Sequence, residues 1–124
     1  MGKFRFRDFK VYQDAIVFRM RVKDIAKKYF PGEEKYLLFD QIIRAANSIV
    51  LNIAEGSDRG TDKDFALFLN RSHTSLNEVV ACLDIALREN YITIKIHEIY
   101  LKEAEDLANQ ITAFRRKLLV NPSK

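Results

Sequence analysis

Apolar residues recur at alternating steps of three and four along most of the chain, which is the spacing of one face of an α-helix. The first series consists of Val11, Ala15, Phe18, Val22, Ile25 and Tyr29. Three further series follow, and the pattern predicts helices at about residues 8–29, 34–55, 62–90 and 94–119. Because short segments connect these long helices, we expect an all-α, antiparallel up-and-down four-helix bundle that forms a single domain over residues 1–124.

Capping residues lie at three of the predicted helix ends. Thr61, with Asp64 three positions later, resembles a capping box, and Thr93 directly precedes the fourth helix. Gly56 occupies the position at which a residue in the left-handed conformation commonly closes a helix. We therefore expect Thr61 and Thr93 to cap the third and fourth helices, and Gly56 to close the second.

A polar stripe runs through the second predicted helix, within the segment RAANSIVLNIAEG. At about 100° per residue, the four members of this stripe fall within about 80° of one another. They are Arg44, Ser48, Asn52 and Glu55. A solvated helix face would produce this pattern, but mixed polar groups at helical spacing also satisfy one another and a facing helix. We favour the second interpretation, which is structural rather than catalytic.

Folding the second and third helices about residues 58 and 59 brings Arg44 level with residues 73–75. Glu78 then lies about one turn further along. This register predicts an ion pair between Arg44 and Glu78, with Ser75 as an additional partner. Leu51 lies on the outer side of the second helix, where an isolated bundle would expose it, so it is a candidate contact with another chain.

The sequence lacks the residue patterns of common catalytic and metal sites. It contains no Cys-x-x-Cys, no His-Glu-x-x-His and no glycine-rich phosphate loop. A di-iron bundle would require a glutamate three positions before each metal-binding histidine. The residues three positions before His73 and His97 are not glutamates. We predict a protein with no enzymatic activity, metal or cofactor, in which Cys82 is a core or interface residue. A cytoplasmic location is expected, since no apolar run approaches the roughly 20 residues of a membrane span and the chain does not start like a signal peptide.

Positive charge is concentrated near the two ends of the chain. The formal net charge is +4, and residues 1–28 contain nine Lys or Arg against three Asp. In an up-and-down bundle both chain ends and the loop between the second and third helices lie at one end of the molecule. The predicted nucleic-acid-binding residues at this end are Lys3, Arg5, Arg7, Lys10, Arg59, Arg115, Arg116 and Lys117. Solubility and complementation of helix dipoles are the alternative explanation for these charges.

Three phenylalanines alternate with the first cations. Phe4 and Phe6 are able to stack on unpaired bases while neighbouring cations meet phosphates. Phe9 fits better as a hydrophobic lid on the bundle.

Two long segments resemble a known family. FPGEEKYLLFDQIIRAANSIVLNIAEG and FLNRSHTSLNEVVACLDIALRENYI are similar to the four-helix-bundle proteins encoded by intervening sequences in bacterial 23S ribosomal RNA genes. The most specific matches are Gln41, Arg44, Ala45, Ser48, Ile49, Asn52, Ile53, Ala54, Glu55 and Gly56, with Ser75, Leu76 and Glu78. Two positions depart from the family pattern: Ile43 replaces a frequent arginine, and Thr74 replaces a frequent glycine.

The resemblance implies a homopentamer with no established enzymatic activity. A related group, the accessory variability proteins of diversity-generating retroelements, binds nucleic acid and a reverse transcriptase. Two functions therefore stay open: an oligomeric RNA-binding protein that uses the basic surface, or a structural or adaptor protein for a protein partner such as a reverse transcriptase. The predicted structural and interface residues are Gln41, Arg44, Ser48, Leu51, Asn52, Glu55, Ser75 and Glu78.

Overall fold

The computed structural model describes residues 3–34 and 36–120. Its α-helices are α1 (Lys10–Tyr29), α2 (Leu38–Gly56), α3 (Asp62–Arg88) and α4 (Ile94–Val120). Short 3-10 turns at Arg5–Asp8 and Gly32–Glu34 precede α1 and α2. Within the described ranges the chain contains no β-strand, so the predicted all-α class is confirmed.

The four helices pack as a bundle around one apolar core. Each helix contacts two others, since α1 and α3 both pack against α2 and α4, and the contact between α2 and α3 is the most extensive. Between α1 and α4, the amide of Gln110 donates to the Asp14 carboxylate at 2.8 Å, and Arg21 donates to Glu103 at 2.7 Å. The largest fully buried apolar side chains are Ile42, Ile49, Ile53, Leu69, Leu76, Leu83, Ile111, Val22 and Val79.

Two helices begin later than their sequence pattern predicts. The α1 helix starts at Lys10 rather than residue 8, because Arg5–Asp8 forms a 3-10 turn and Phe9 is extended. The α2 helix starts at Leu38 rather than residue 34, because Gly32–Glu34 forms the second 3-10 turn. Acidic residues suit the first turn of either helix type, so composition alone does not separate them.

The predicted threonine caps are confirmed. The hydroxyl of Thr61 accepts a hydrogen bond from the backbone N–H of Asp64 at 3.1 Å. The hydroxyl of Thr93 accepts one from the N–H of Ile96 at 3.2 Å. Each bond satisfies a donor that the first turn of an α-helix leaves without an internal partner.

The left-handed conformation predicted for Gly56 is wrong. Its φ is not positive, and the described non-glycine residue with a positive φ is Asn90, at 65° just after α3. The structure gives Gly56 a different role: a Cβ at this position would lie 2.5 Å from the Cβ of Phe68. The absence of a side chain therefore permits close approach of α2 to α3.

Candidate nucleic-acid interface

Three aromatic rings join helices at one end of the bundle. Phe9 precedes α1, Phe65 lies in the first turn of α3, and Phe114 lies near the end of α4. The Phe9 ring centroid is 6.2 Å from that of Phe65 and 5.3 Å from that of Phe114. This cluster brings the beginnings of α1 and α3 to the end of α4, and Phe9 packs as the predicted lid.

Arg5 fastens the N-terminal turn to this cluster. Its guanidinium donates to the backbone carbonyl of Ser57, just after α2, at 2.7 Å. The same group lies 5.7 Å from the ring centroid of Phe9 and 5.9 Å from that of Phe65. The guanidinium of Arg5, which the sequence placed among the phosphate-binding cations, is thus engaged in holding the fold.

A groove of about 950 Å³ lies between the N-terminal turn and the end of α2. Its lining residues are Lys3, Phe4, Arg5, Phe6, Ala54, Glu55, Ser57, Asp58 and Arg59. The Phe4 side chain is 63% exposed and meets Phe6 edge to face, with ring centroids 6.3 Å apart. Phe6 is held in turn against Tyr12, at 4.8 Å between ring centroids. The groove therefore presents the exposed ring of Phe4, which is held in place by its contact with Phe6.

The other predicted cations divide into engaged and unengaged groups. Lys10 pairs with Asp14, and hydrogen bonding from Lys10 lowers the pKa of the Asp14 carboxyl. The Arg59 guanidinium lies 4.9 Å from the ring centroid of Phe68. Over the described part of the chain, the exposed cations of this end whose side chains have no ion pair, hydrogen bond or aromatic-ring contact are Lys3, Arg7, Arg115, Arg116 and Lys117. Lys124 lies outside the described residues.

The charge pattern of the sequence predicts a basic surface at this end of the bundle, but the structure also places carboxylates there. The sequence pattern places Glu55 in the polar stripe of α2, yet in the structure it lines the groove together with Asp58. Both side chains are exposed. The signal was present in the sequence, because Asp58 directly precedes Arg59 in the loop that was expected at this end. The groove therefore presents charges of both signs.

The polar stripe of α2 divides into two parts. Ser48 and Ser75 hydroxyls are hydrogen-bonded across the α2–α3 seam at 2.8 Å, and the Asn52 amide donates to the Ser48 carbonyl at 2.9 Å. Both Arg44 and Glu78 point to solvent. The predicted Arg44–Glu78 ion pair is wrong: the ion pairs among the described residues do not include it. Small side chains fill the seam and leave the longer charged ones on its outer side.

Several apolar side chains lie on the outside of the bundle. Leu51 is 62% exposed on α2, as its helical position predicts, and Gln41 is exposed on the same helix. Further exposed apolar residues include Ile16, Val17 and Met20 on α1 and Leu67 and Ile85 on α3. Such residues are candidates for contact with another chain.

Three further observations concern metal binding, thiol reactivity and membrane insertion. The described residues contain no group of three His, Cys, Asp or Glu side chains able to hold a metal ion. Cys82 is buried, and this burial raises the pKa of its thiol to about 11. None of the described helices combines the length and apolar content needed to cross a membrane.

Comparisons with known proteins place these features in context. A family model described as 23S rRNA-intervening sequence protein matches residues 7–113. The fold is similar to a crystal structure from Bacteroides thetaiotaomicron, of a protein with unknown function from the S23 ribosomal protein family. The two chains are 23% identical with a TM-score of 0.77, over 85% of this chain and 97% of the other. No curated protein matches the chain.

Proposed function

Since the chain belongs to the 23S rRNA-intervening sequence protein family, we propose that it is a non-enzymatic, oligomeric RNA-binding protein. The observation that carries this proposal is the set of exposed, unpaired cations at the end of the bundle where the rings of Phe9, Phe65 and Phe114 meet. Lys3 and Arg7 lie on the N-terminal turn, while Arg115, Arg116 and Lys117 lie on the last turns of α4. We place this activity in the cytoplasm, where an RNA-binding protein would meet RNA.

Unpaired cations favour the binding of a polyanion, because no existing ion pair has to be broken first. Each phosphate that a protein cation neutralises releases condensed counterions, so affinity falls steeply as salt rises. Arg5 would not contribute to this salt-dependent part of the affinity, since its guanidinium already donates to the Ser57 carbonyl. Phe4 would add stacking on an unpaired base, an interaction that tolerates any base sequence.

The proposal includes a homopentamer of antiparallel up-and-down bundles. The antiparallel arrangement is supported by two contacts between α1 and α4, in which the later α1 residue meets the earlier α4 residue: Asp14 with Gln110, and Arg21 with Glu103. Assembly is supported by exposed apolar residues on α1 and α3, two helices that do not contact each other, because a head-to-tail interface uses two different faces and forms a ring when its rotation closes. Five chains of 14.5 kDa would weigh about 72 kDa.

RNA binding measured across salt concentrations tests the function. We expect the parent protein to bind RNA with a steep salt slope, and the triple variant Arg7→Gln, Arg116→Gln, Lys117→Gln to bind more weakly with a shallower slope. The control variant carries Lys27→Gln, Arg88→Gln and Lys95→Gln, which remove the same charge from the ends of α1 and α3 and the start of α4. Equal losses in both variants, or no binding by the parent at low salt, would contradict the proposal.

A structural or adaptor role is the second candidate. Leu51 favours it, because a leucine that is 62% exposed, two helical turns from Arg44 on the same face of α2, is a better contact for protein than for phosphate. A protein partner such as a reverse transcriptase would use this face without needing the cations. If the parent protein fails to bind RNA at low salt, this candidate replaces the first.

A further inference from the structure

The groove beside the N-terminal turn holds opposite charges that do not pair. Lys3 and Arg59 line it together with Glu55 and Asp58. In the described residues, no N···O distance within 4.0 Å joins either cation to either carboxylate. Neighbouring opposite charges do pair along helices elsewhere, as Lys102 does with Asp106 at 3.5 Å. The groove thus offers both a cation and a carboxylate to a ligand.

A ligand that satisfies such a groove carries negative charge at one end and hydrogen-bond donors at the other. The volume of about 950 Å³ lies within the range of roughly 300–1,000 Å³ that small-molecule sites occupy. The exposed Phe4 ring adds a flat apolar surface beside these charges. An unpaired nucleotide combines all three properties, since it has a phosphate, a planar base and a polar base edge.

We propose that this groove binds an unpaired guanine nucleotide within RNA, an inference that rests on the proposed RNA-binding function. The base stacks on Phe4. Lys3 and Arg59 face the phosphate. A carboxylate, from Glu55 or Asp58, accepts two hydrogen bonds from the base edge.

Guanine fits a carboxylate better than the other bases do. Its Watson–Crick edge presents two adjacent donors, the N1–H and the N2 amino group, which match the two oxygens of a carboxylate. Adenine and cytosine each place a ring acceptor beside their single amino group, and uracil places a carbonyl on each side of its N–H. These acceptors would face the carboxylate oxygens of Glu55 or Asp58, which are also acceptors, and the two would repel each other. A duplex is excluded because base pairing already uses this edge.

Inosine provides the chemical test, because it differs from guanosine by loss of the N2 amino group. The probes are two 12-nucleotide uridine-rich RNAs with two central guanosines or two central inosines, measured by fluorescence anisotropy. We expect the guanosine RNA to bind about tenfold more tightly, as loss of a hydrogen bond to a charged group predicts. Equal affinity for the two RNAs would overturn the inference.

A double variant tests whether the groove carboxylates cause the preference. Glu55→Gln with Asp58→Asn should reduce the preference to less than about twofold, since each amide replaces one acceptor oxygen by a donor. The control, Glu98→Gln with Glu105→Gln, removes the same charge from exposed positions on α4 and should retain the preference.

The outcomes separate this inference from the function on which it rests. A guanosine preference that persists in the Glu55→Gln, Asp58→Asn variant would overturn the assignment of the groove while leaving RNA binding intact. Binding to neither RNA by the parent protein at low salt would overturn both. Thermal melting of each variant verifies that the bundle remains folded.

Discussion

The most direct test of the packing is the substitution of Gly56 by alanine. An added Cβ would lie 2.5 Å from the Cβ of Phe68 and 3.0 Å from a ring carbon of Phe65. The Cβ of Phe68 is bonded directly to its backbone, so rotation of the side chain cannot move it away. The methyl group must therefore separate α2 from α3, the helix pair with the most extensive contact.

Two effects of opposite sign determine how much Gly56→Ala changes the free energy of unfolding. Helix propensity favours alanine over glycine by about 1 kcal/mol, and the φ of Gly56 is not positive, so alanine can adopt its backbone conformation. Overpacking of a closely packed interior costs about 1–3 kcal/mol. Because a contact of 2.5 Å with an immobile atom is severe, we expect a cost near the upper end and a net loss of about 2 kcal/mol.

Urea unfolding followed by circular dichroism measures this loss. Gly60→Ala is the matched control, because a Cβ there would meet nothing within 4 Å and its φ is also not positive. That variant should be as stable as the parent, or more stable by about 0.4–1 kcal/mol. Both variants are compared at one protein concentration, since any assembly makes stability depend on concentration. If Gly56→Ala proves as stable as Gly60→Ala, the close approach of the helices is refuted.

Three further predictions concern single side chains. Ser72→Ala should lower the free energy of unfolding by about 1 kcal/mol in urea titrations, because the buried hydroxyl donates to the Ile49 carbonyl at 2.7 Å; unchanged stability would contradict this. Arg44→Ala should change stability by less than about 0.5 kcal/mol, because its side chain is exposed and unpaired among the described residues; a larger loss in thermal unfolding would restore the ion pair between Arg44 and Glu78. Burial raises the pKa of Cys82 to about 11, so its thiol stays protonated at pH 8 and iodoacetamide should label it much more slowly in native protein than in urea; equal rates would disprove this.

Local sequence predicted the helices well because helix formation depends on residues a few positions apart. The apolar series that ends at Tyr29 gave the end of α1, and Thr61 and Thr93 gave the starts of α3 and α4. The errors at residues 8 and 34 share one cause. A 3-10 turn and an α-helical turn use similar residues, so the choice between them depends on what the turn packs against.

The candidate site was less predictable than the helices. Sequence identified the cations of this end, including Lys3 and Arg116, because their places in the chain and the order of the helices put them together. It did not reveal that Arg5 donates to the Ser57 carbonyl, 52 residues away. Contacts of this kind depend on the relative placement of separate elements, which no local spacing specifies.

The sequence by itself determined that the chain forms helices, which face of each is apolar, and to which family it belongs. Tertiary structure decided how each polar side chain is used. Ser48 and Ser75 meet across the α2–α3 seam, whereas Arg44, one turn before Ser48, points to solvent. The physical reason is that helical periodicity fixes the angle of a residue around its own axis, while a hydrogen bond also requires the distance and rotation of a second helix, which the packing of the whole core sets.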